Sequence, residues 1–446
     1  MPGGGGILFT GMGEVVKLQK PAKGKKAASA RKPKRRSSRR SRTALVLGGG
    51  GFTGGVYEIG ALRAFDLLAV NRTINQFDVY VGTSAGSMIA SLAANGVTPE
   101  EMMRVVNQQV PTPFEEIDLG TLLRPNYGDF VRKGALLPFR LLGLTGELLR
   151  NLGSVSLMDL GVALAENLPA GLYNGSGLER YMREVLSELG RTDDFRLLRH
   201  ELHLAATDLD TCERIVLGDE GFEDVPISRA VAASTALPMV FRPVEVKGRH
   251  LVDGGIRSTT NVDIAVERGA RFIVVVNPLV PYVNDFKKMI PTALGSRVRR
   301  VSDMGFPQIG YQAFKLLAHQ RLHEAVSHWG RKYPGVDIIL IEPDPNDELM
   351  FETNIMNFTK RVEIARHGFE SVTLRLARDY DRFASVCARH GIEISASRVQ
   401  NVIRHFEGER EETRAWRRIL EQTTGALLRQ SQPSRRAGER SGGGEG

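Results

Sequence analysis

The sequence predicts an α/β protein in which a layered β-sheet carries helices on its faces. Short apolar runs alternate with longer segments whose apolar residues recur at three-residue steps, a pattern typical of strands joined by helices. Glycine-rich turns separate the first strands from the helices that follow them. Of the 446 residues, 42% are hydrophobic and 25% are charged, which excludes a fibrous or wholly disordered chain.

The basic residues are concentrated at the amino-terminal end. Residues 1–42 contain 13 Lys and Arg against one acid, Glu14, which gives them a net charge of +12, whereas the whole chain carries +9. Such a polar segment cannot bury enough apolar surface to order itself, so we predict a disordered basic tail at 1–42. Residues 431–446 are polar and glycine-rich, and a second disordered tail is predicted there.

The first predicted elements follow directly after the tail. Ala44–Leu47 is a short apolar run that ends at glycines, and it predicts a buried strand. Gly54–Val70 predicts a helix, because its apolar residues recur every three positions. Phe77–Val81 predicts a second strand, and Ser84–Ala94 predicts a second helix that ends at an Asn-Gly pair.

The rest of the chain is predicted in three parts. Residues 111–175 contain five prolines and break the rhythm, which indicates an insertion or lid. Residues 281–430 are expected to be mainly helical with one strand, and Phe358–Ala388 and Ser397–Gln430 give no strand signal. Further strands are predicted at Leu202–Ala206, Ile215–Leu217, Arg271–Val276 and Asp337–Ile341.

A glycine loop follows the first strand. The spacing Gly49-x-Gly51-x-x-Gly54 fits a dinucleotide-binding fingerprint, although glycines before a helix can equally hold a phosphate or a developing oxyanion. A dinucleotide site also requires an acid at the end of the second strand, and that strand runs instead into Gly82-Thr83-Ser84. A nucleotide-binding oxidoreductase is therefore disfavoured.

A G-x-S-x-G motif lies between the second strand and the second helix. Gly82 and Gly86 allow the tight turn that exposes the Ser84 hydroxyl at a helix amino terminus, where an anion is favoured. The structural alternative is an ordinary turn with a serine N-cap. Ser87 is a nearby competitor, but it lies one turn inside the helix.

An aspartate follows a later strand on a glycine turn, Asp253-Gly254-Gly255. An aspartate in such a turn usually has only a turn-forming role. A serine hydroxyl, however, needs a base to remove its proton, and a partly buried carboxylate can serve as that base.

The three motifs, in this order, resemble the patatin-like phospholipase family. The match comprises Gly49–Gly54, Gly82–Gly86 and the D-G-G turn, together with two linking stretches, Ala206–Leu209 and Ala233–Pro238. The likeness covers about residues 43–280, which we take as the catalytic domain.

The resemblance implies a three-layer α/β/α fold and a Ser–Asp dyad without histidine. On this basis Ser84 attacks an acyl ester, Asp253 accepts its proton, and the backbone amides of Gly49, Gly50 and Gly51 form the oxyanion hole. The implied product is a free fatty acid released through an acyl-enzyme, with no cofactor or metal. Thr53 departs from the family, which usually has a basic residue at that place, so the headgroup preference and activity level are open.

Two other functions stay open at this point. An α/β-hydrolase esterase uses the same elbow with a Ser-Asp-His triad, and His319, His323, His328 and His367 all follow Asp253. A patatin-like protein that binds lipid without turnover is the second alternative. His319 and His323 can share a helix face, but no third metal ligand is evident and no metal site is predicted.

The expected partner is a lipid. Peripheral contact with an anionic membrane is predicted through residues 17–42 and the apolar stretch 135–149, against the alternative of an inert tail and a buried helix. Nucleic acid is not expected as a partner, and the oligomeric state is not predicted. No signal peptide or membrane-spanning run is found, so a cytoplasmic location is expected. The two cysteines, Cys212 and Cys387, exclude a disulfide scaffold.

Overall fold

A computed structural model describes residues 41–107, 124–126, 169–284, 286, 290–291, 297–345, 347, 349–350, 360–402 and 404. Residues 1–40, the apolar stretch 135–149 and the tail 431–446 lie outside the described residues, as does most of the predicted insertion. The chain divides into two units after Ile394. The second unit has described helical residues at 396–402, within the region predicted to be helical.

Twelve strands are present among the described residues of the first unit. They are β1 (Thr43–Leu47), β2 (Val79–Thr83), β3 (Gly171–Tyr173), β4 (Glu201–Asp208), β5 (Arg214–Leu217), β6 (Met239–Phe241), β7 (Val244–Val246), β8 (Arg249–Asp253), β9 (Phe272–Val276), β10 (Ile290–Pro291), β11 (Arg297–Val298) and β12 (Asp337–Ile341). Eight of them form the central sheet in the order β12-β9-β1-β2-β4-β8-β7, with β5 also paired to β4.

Nine α-helices accompany these strands in the described part of that unit. They are α1 (Gly51–Leu68), α2 (Ala85–Ala94), α3 (Pro99–Asn107), α4 (Ser176–Leu186), α5 (Ile227–Ser234), α6 (Val262–Glu267), α7 (Phe306–Lys332), α8 (Arg361–Arg378) and α9 (Tyr380–Arg389). None of the described helices is both long enough and apolar enough to cross a bilayer.

The central sheet is covered on both faces, so the α/β prediction is confirmed. One face packs against α6 and α7 through a core that includes Val46, Val275, Val326 and Trp329. On the other face α1 packs against α2 and α8. Five neighbouring strands, from β12 to β4, are parallel and mostly buried, as expected when helices cover both faces.

Glycines set the approach of α1 to α8. A Cβ on Gly60 would lie 2.2 Å from the Ala365 carbonyl oxygen, and one on Gly368 would lie 2.6 Å from the Tyr57 carbonyl oxygen. Both distances are shorter than any real contact of a methyl group. The two helices therefore cross with their backbones in direct contact.

The register of three strands places Ser84 and Asp253 at the same height on the sheet. Thr83 of β2 pairs with Ala205 of β4, so the next residue, Ser84, leaves β2 at the level of Ala206. Asp253 of antiparallel β8 pairs with Ala206 itself. The two residues thus lie on either side of β4, although 169 positions separate them in the chain.

Some predicted boundaries are wrong. The first helix begins at Gly51 rather than Gly54, and the Gly54 amide donates to the Gly50 carbonyl at 3.0 Å; a glycine-rich first turn gives no helix signal. The second strand begins at Val79, because buried Phe77 follows a short 3-10 turn instead. The prediction that Phe358–Ala388 is helical is confirmed for its described residues, which form two helices separated at Asp379.

The strand predicted at Asp337–Ile341 is confirmed with the same bounds, and it pairs in parallel with β9 at the edge of the central sheet. This strand comes from the region 281–430. The sheet that carries the site therefore includes a strand beyond the predicted boundary at residue 280.

Candidate active site

Ser84 lies in the turn between β2 and α2, as the G-x-S-x-G motif predicts. Its backbone has φ 55° and ψ −129°, a conformation that residues with a side chain rarely adopt. Such strain persists only where the surroundings enforce it, and it is typical of a serine exposed on a strand-to-helix elbow.

The two motif glycines give the elbow the space that it needs. A Cβ on Gly82 would lie 2.5 Å from the Ser87 Cα, and one on Gly86 would lie 2.4 Å from the Gly48 carbonyl oxygen. The Gly86 amide donates to that same carbonyl at 3.1 Å. The elbow is thereby joined to the end of β1, where the glycine loop begins.

Asp253 is the hydrogen-bond partner of the Ser84 hydroxyl. The hydroxyl donates to Asp253 Oδ2 at 2.6 Å, and the Gly255 amide donates to Oδ1 at 2.7 Å. A Cβ on Gly254 would lie 2.4 Å from the Ala205 carbonyl oxygen, so the D-G-G turn packs directly on β4. Both oxygens of the carboxylate are therefore fixed in position.

Burial makes Asp253 a better base than an exposed aspartate. The side chain is 3% exposed, and desolvation raises its pKa to about 6, although the hydrogen bonds from Ser84 and Gly255 lower it in part. A hydroxyl bonded to such a carboxylate can transfer its proton to it. Chemically, the arrangement can generate a serine nucleophile.

Ser234 supports the elbow from α5, a role that the sequence analysis missed. The Ser84 amide donates to Ser234 Oγ at 3.0 Å, and this hydroxyl donates to the Ala205 carbonyl at 2.6 Å. Ser234 lies within Ala233–Pro238, a stretch that carries part of the resemblance to the family but indicated no role for this hydroxyl.

Gly49 of the glycine loop lies directly against the serine. A Cβ on Gly49 would lie 3.1 Å from Ser84 Cβ and 3.7 Å from Ser84 Oγ. Gly50 and Gly54 pack under Pro278, whose Cγ would lie 2.9 Å from a Cβ on either of them. The loop therefore passes beside the hydroxyl with its backbone exposed to the site.

The loop leads into the amino terminus of α1. Gly51 has φ 63°, a conformation that favours glycine, and Gly50 is the N-cap. The first amides of a helix have no partner within the helix and attract negative charge. Thr53, at the place where the family usually has a basic residue, is buried in this first turn.

Glu58 is a second feature that the sequence analysis missed. This residue of α1 is fully buried, and its carboxylate lies beside the backbone of Gly48. Desolvation raises the pKa of Glu58 well above its usual range. The nearby Gly48 backbone lowers this pKa by a smaller amount. Burial therefore favours the protonated, neutral form of this carboxyl group.

The replacement Glu58→Gln is expected to stabilise the protein increasingly as pH rises. Below the ordinary pKa of 4.5 both folded and unfolded wild type hold the proton. Above it only the unfolded chain releases the proton, so wild-type stability falls by about 1.4 kcal/mol per pH unit until the folded pKa is reached. The variant has no such loss. Urea unfolding of both proteins between pH 4.5 and 7.5 measures the difference, and a difference independent of pH would contradict a neutral Glu58.

The long helix α7 packs against the part of the site that contains Asp253. A Cβ on Gly255 would lie 3.9 Å from Phe314 Cζ, so this ring packs on the D-G-G turn. Burial raises the pKa of Tyr311 above its usual range, and the charge of Asp253 contributes in the same direction. Two side chains of α7 thus lie near Asp253.

The candidate histidines have other partners. His367 is paired with Asp347, and the ring of His328 contacts the Glu324 carbonyl of its own helix. His319 and His323 lie together on α7. Among the hydrogen bonds of the described residues, those of Ser84 and Asp253 include no histidine.

The structure brings a further potential metal ligand to the two neighbouring histidines. The sequence shows no third ligand beside His319 and His323, whereas the structure brings the Glu342 carboxylate to them. Glu342 follows β12 and is 19 residues from His323, so the juxtaposition depends on how the long helix packs on the sheet.

A mixed sheet covered by helices on both faces, with Ser84 in the turn that follows β2, defines a three-layer α/β protein. A family model described as patatin-like phospholipase matches residues 45–266. The chain belongs to the patatin-like phospholipase family.

Two curated relatives and one solved structure are similar to this chain. An uncharacterised protein YqhO of Bacillus subtilis is 27% identical over 227 residues, which are 48% of this chain and 63% of that protein. A probable lipid hydrolase 463L of Invertebrate iridescent virus 6 is 23% identical over 223 residues, which are 50% of this chain and 63% of that protein. The crystal structure of VipD from Legionella pneumophila aligns at 17% identity over 76% of this chain and 67% of that chain, with a TM-score of 0.34.

Proposed function

We propose that the protein is a serine acyl hydrolase that cleaves fatty-acyl esters of phospholipids or related lipids. The observation that carries the proposal is the 2.6 Å hydrogen bond from the Ser84 hydroxyl to buried Asp253. The family membership and the viral relative's name as a probable lipid hydrolase support a lipid substrate. The chain spans 63% of the length of each curated relative. The activity is therefore proposed from the residues of the candidate site in this chain.

The reaction has two displacements. In the first, Asp253 accepts the hydroxyl proton while Ser84 Oγ attacks the ester carbonyl, and the collapse of the tetrahedral intermediate forms the acyl-enzyme. The proton passes from Asp253 to the departing alcohol oxygen. In the second displacement Asp253 accepts a proton from water, the hydroxide attacks the acyl carbonyl, and the fatty acid leaves as Ser84 regains its proton.

The glycine loop is proposed to hold the oxyanion. Gly49 lies against Ser84, and the loop leads into the amino terminus of α1, where the helix dipole favours negative charge. Donors fixed where charge develops stabilise the transition state without reorganisation. Gly49, Gly50 and Gly51 are therefore the proposed donors, and Thr53 adds no positive charge there.

The function is tested by fatty-acid release from defined lipids. Wild type and Ser84→Ala are compared on phospholipids, lysophospholipids, acylglycerols and a soluble ester, with labelling by a fluorophosphonate probe in parallel. The proposal is supported if wild type is labelled by the probe and releases fatty acid, and Ser84→Ala does neither. An unlabelled wild type that binds lipid without hydrolysing any of the panel would indicate the non-catalytic alternative.

The pH dependence of the reaction is expected to follow Asp253. The base must be ionised, and burial raises the pKa of Asp253 to about 6. For a soluble ester, kcat/KM should be level above pH 7 and fall about tenfold per pH unit below pH 6. A pH profile of kcat/KM with its midpoint near 4 would contradict a buried base. A profile whose midpoint disappears in His319→Ala or His367→Ala would favour the Ser-Asp-His triad.

The domain organisation and membrane contact are also proposals. We propose a catalytic domain at 43–280 with an insertion or lid at 111–175, and contact with anionic membranes through residues 17–42 and 135–149. The charge of the basic tail is the support for this contact, because exposed basic residues near anionic lipid contribute about 1 kcal/mol each.

Removal of the tail is expected to weaken binding to anionic vesicles at least tenfold at low salt. Co-sedimentation compares the full chain with one starting at Arg42, at low and high salt, and with the variants Leu137→Asp and Phe139→Asp. High salt should abolish the difference between the two chains because it screens the tail. Equal binding by both chains at low salt would remove the tail from the proposal. If Leu137→Asp and Phe139→Asp both bind vesicles as wild type does, the stretch 135–149 has no part in the proposed membrane contact.

A further inference from the structure

Three side chains of the kinds that bind metals lie together near the carboxyl end of β12, and none of them belongs to the Ser84–Asp253 pair. His319 and His323 are four residues apart on α7, and their ring centroids are 4.1 Å from each other. His323 Nε2 is 3.0 Å from Glu342 Oε2. One donor atom from each of the three residues lies within 4.8 Å of the other two.

The carboxylate of this cluster is held by other groups. Glu342 is 5% exposed, and its Oε1 accepts a hydrogen bond from Asn277 Nδ2 at 2.7 Å. Arg375 donates to the Glu342 backbone carbonyl. Oε2 is thereby directed at the histidines, which is the role that supporting groups play around metal ligands.

We propose that His319, His323 and Glu342 form a binding site for a divalent transition metal of the zinc type. Two imidazoles and one carboxylate suit Zn²⁺, and they leave one position for water or a further ligand. Tetrahedral bonds of about 2.0–2.1 Å separate donor atoms by about 3.4 Å. The widest pair therefore has to close by no more than about 1.5 Å, which rotation of the half-buried rings supplies.

The bound ion links two elements around the candidate active site. Its histidines come from α7, whose Phe314 packs on Gly255, and its carboxylate follows β12. The ion thus fastens the helix that covers Asp253 to the edge of the sheet. We assign it a stabilising role, because it lies outside the pair of side chains proposed to react.

The experiment measures zinc binding and stability of the full chain after removal of metal. Competition with a chromophoric chelator is expected to give one tight Zn²⁺ per wild-type chain, and Zn²⁺ is expected to raise Tm. The variants His319→Ala, His323→Ala and Glu342→Gln should each bind at least tenfold more weakly and lose most of the Tm shift. Glu342→Gln keeps the shape of the side chain and one oxygen that can accept from Asn277, so it removes chiefly the anionic ligand.

His328→Ala is the matched control. This histidine is exposed on the same helix but lies outside the cluster, and its replacement should leave both readouts unchanged. A wild type without stoichiometric binding, or variants that bind as tightly as wild type, would overturn the site. Co²⁺ bound to wild type gives a readout independent of the variants' folding: intense visible bands of a tetrahedral site support the proposal, and their absence contradicts it.

Discussion

The replacements Ser84→Ala and Asp253→Asn are each expected to lower turnover about a thousandfold or more, and the double variant should be hardly worse than either. The reason is that one hydrogen bond joins the two groups and one proton passes between them. When either partner is missing, the other has no remaining role in the chemistry. Steady-state kinetics on a soluble ester, with Tm measured for each variant, check the result.

The asparagine variant isolates the base from its structural role. The side-chain oxygen of asparagine can still accept from the Gly255 amide, which donates to Oδ1 in wild type at 2.7 Å. What is lost is a site for the proton of Ser84. The fold should therefore be kept while turnover falls.

Ser91→Ala is the matched control for the serine replacement. Ser91 is fully buried in α2, and its hydroxyl donates to the Ser87 carbonyl at 2.7 Å rather than to Asp253. Turnover should stay within a few-fold of wild type. Losses from Ser84→Ala and Asp253→Asn that simply add would argue against a coupled pair, and inactivity of a folded His319→Ala or His367→Ala would point to the triad.

The elbow and the aspartate turn could be predicted from sequence because their signals are local. Gly82–Gly86 between an apolar run and a helical pattern specifies one turn, and Asp253-Gly254-Gly255 specifies another. Their distance from each other is not a local property. It results from the pairing of β2 and β8 with β4, which short motifs do not encode. The resemblance to a family supplied that link.

The supporting residues could not be found in the same way. Ser234 resembles any small residue of a buried helix, and only the fold shows that its hydroxyl meets the Ser84 amide. Glu58 reads as a polar position on α1 until packing shows it fully buried. Glu342 reaches His323 only because β12 joins the sheet beside β9. In each case a long-range contact decides the role.

Strand prediction failed where strands were short. The strands β6 and β7 have three residues each, and neither gives an apolar run long enough to be recognised. β12, by contrast, was predicted with correct bounds because it is a buried parallel strand. Its place at the edge of the sheet did not follow from its sequence.

The second large effect is expected in the glycine loop. Gly50→Ala and Gly51→Ala should each lower turnover about a hundred- to a thousandfold with little change in KM, since loss of one oxyanion donor costs on the order of 3 kcal/mol in the transition state. A Cβ on Gly50 would lie 2.9 Å from both Gly54 Cα and Pro278 Cγ, so the backbone has to shift. Gly51 has φ 63°, which an alanine adopts only with strain.

The control is Gly310→Ala, at an exposed helical glycine with nothing within 4 Å of the added Cβ, and it should leave turnover unchanged. Pre-steady-state kinetics with a chromogenic ester separate acylation from binding, and the loop variants should be slow in acylation while they bind substrate normally. If Gly50→Ala and Gly51→Ala are insoluble instead of slow, the two glycines are needed for the backbone conformation of the loop and not for the oxyanion. A micromolar affinity of the wild type for a nicotinamide dinucleotide would contradict the assignment of this loop to an oxyanion, because the same amides at the start of α1 would then hold a pyrophosphate.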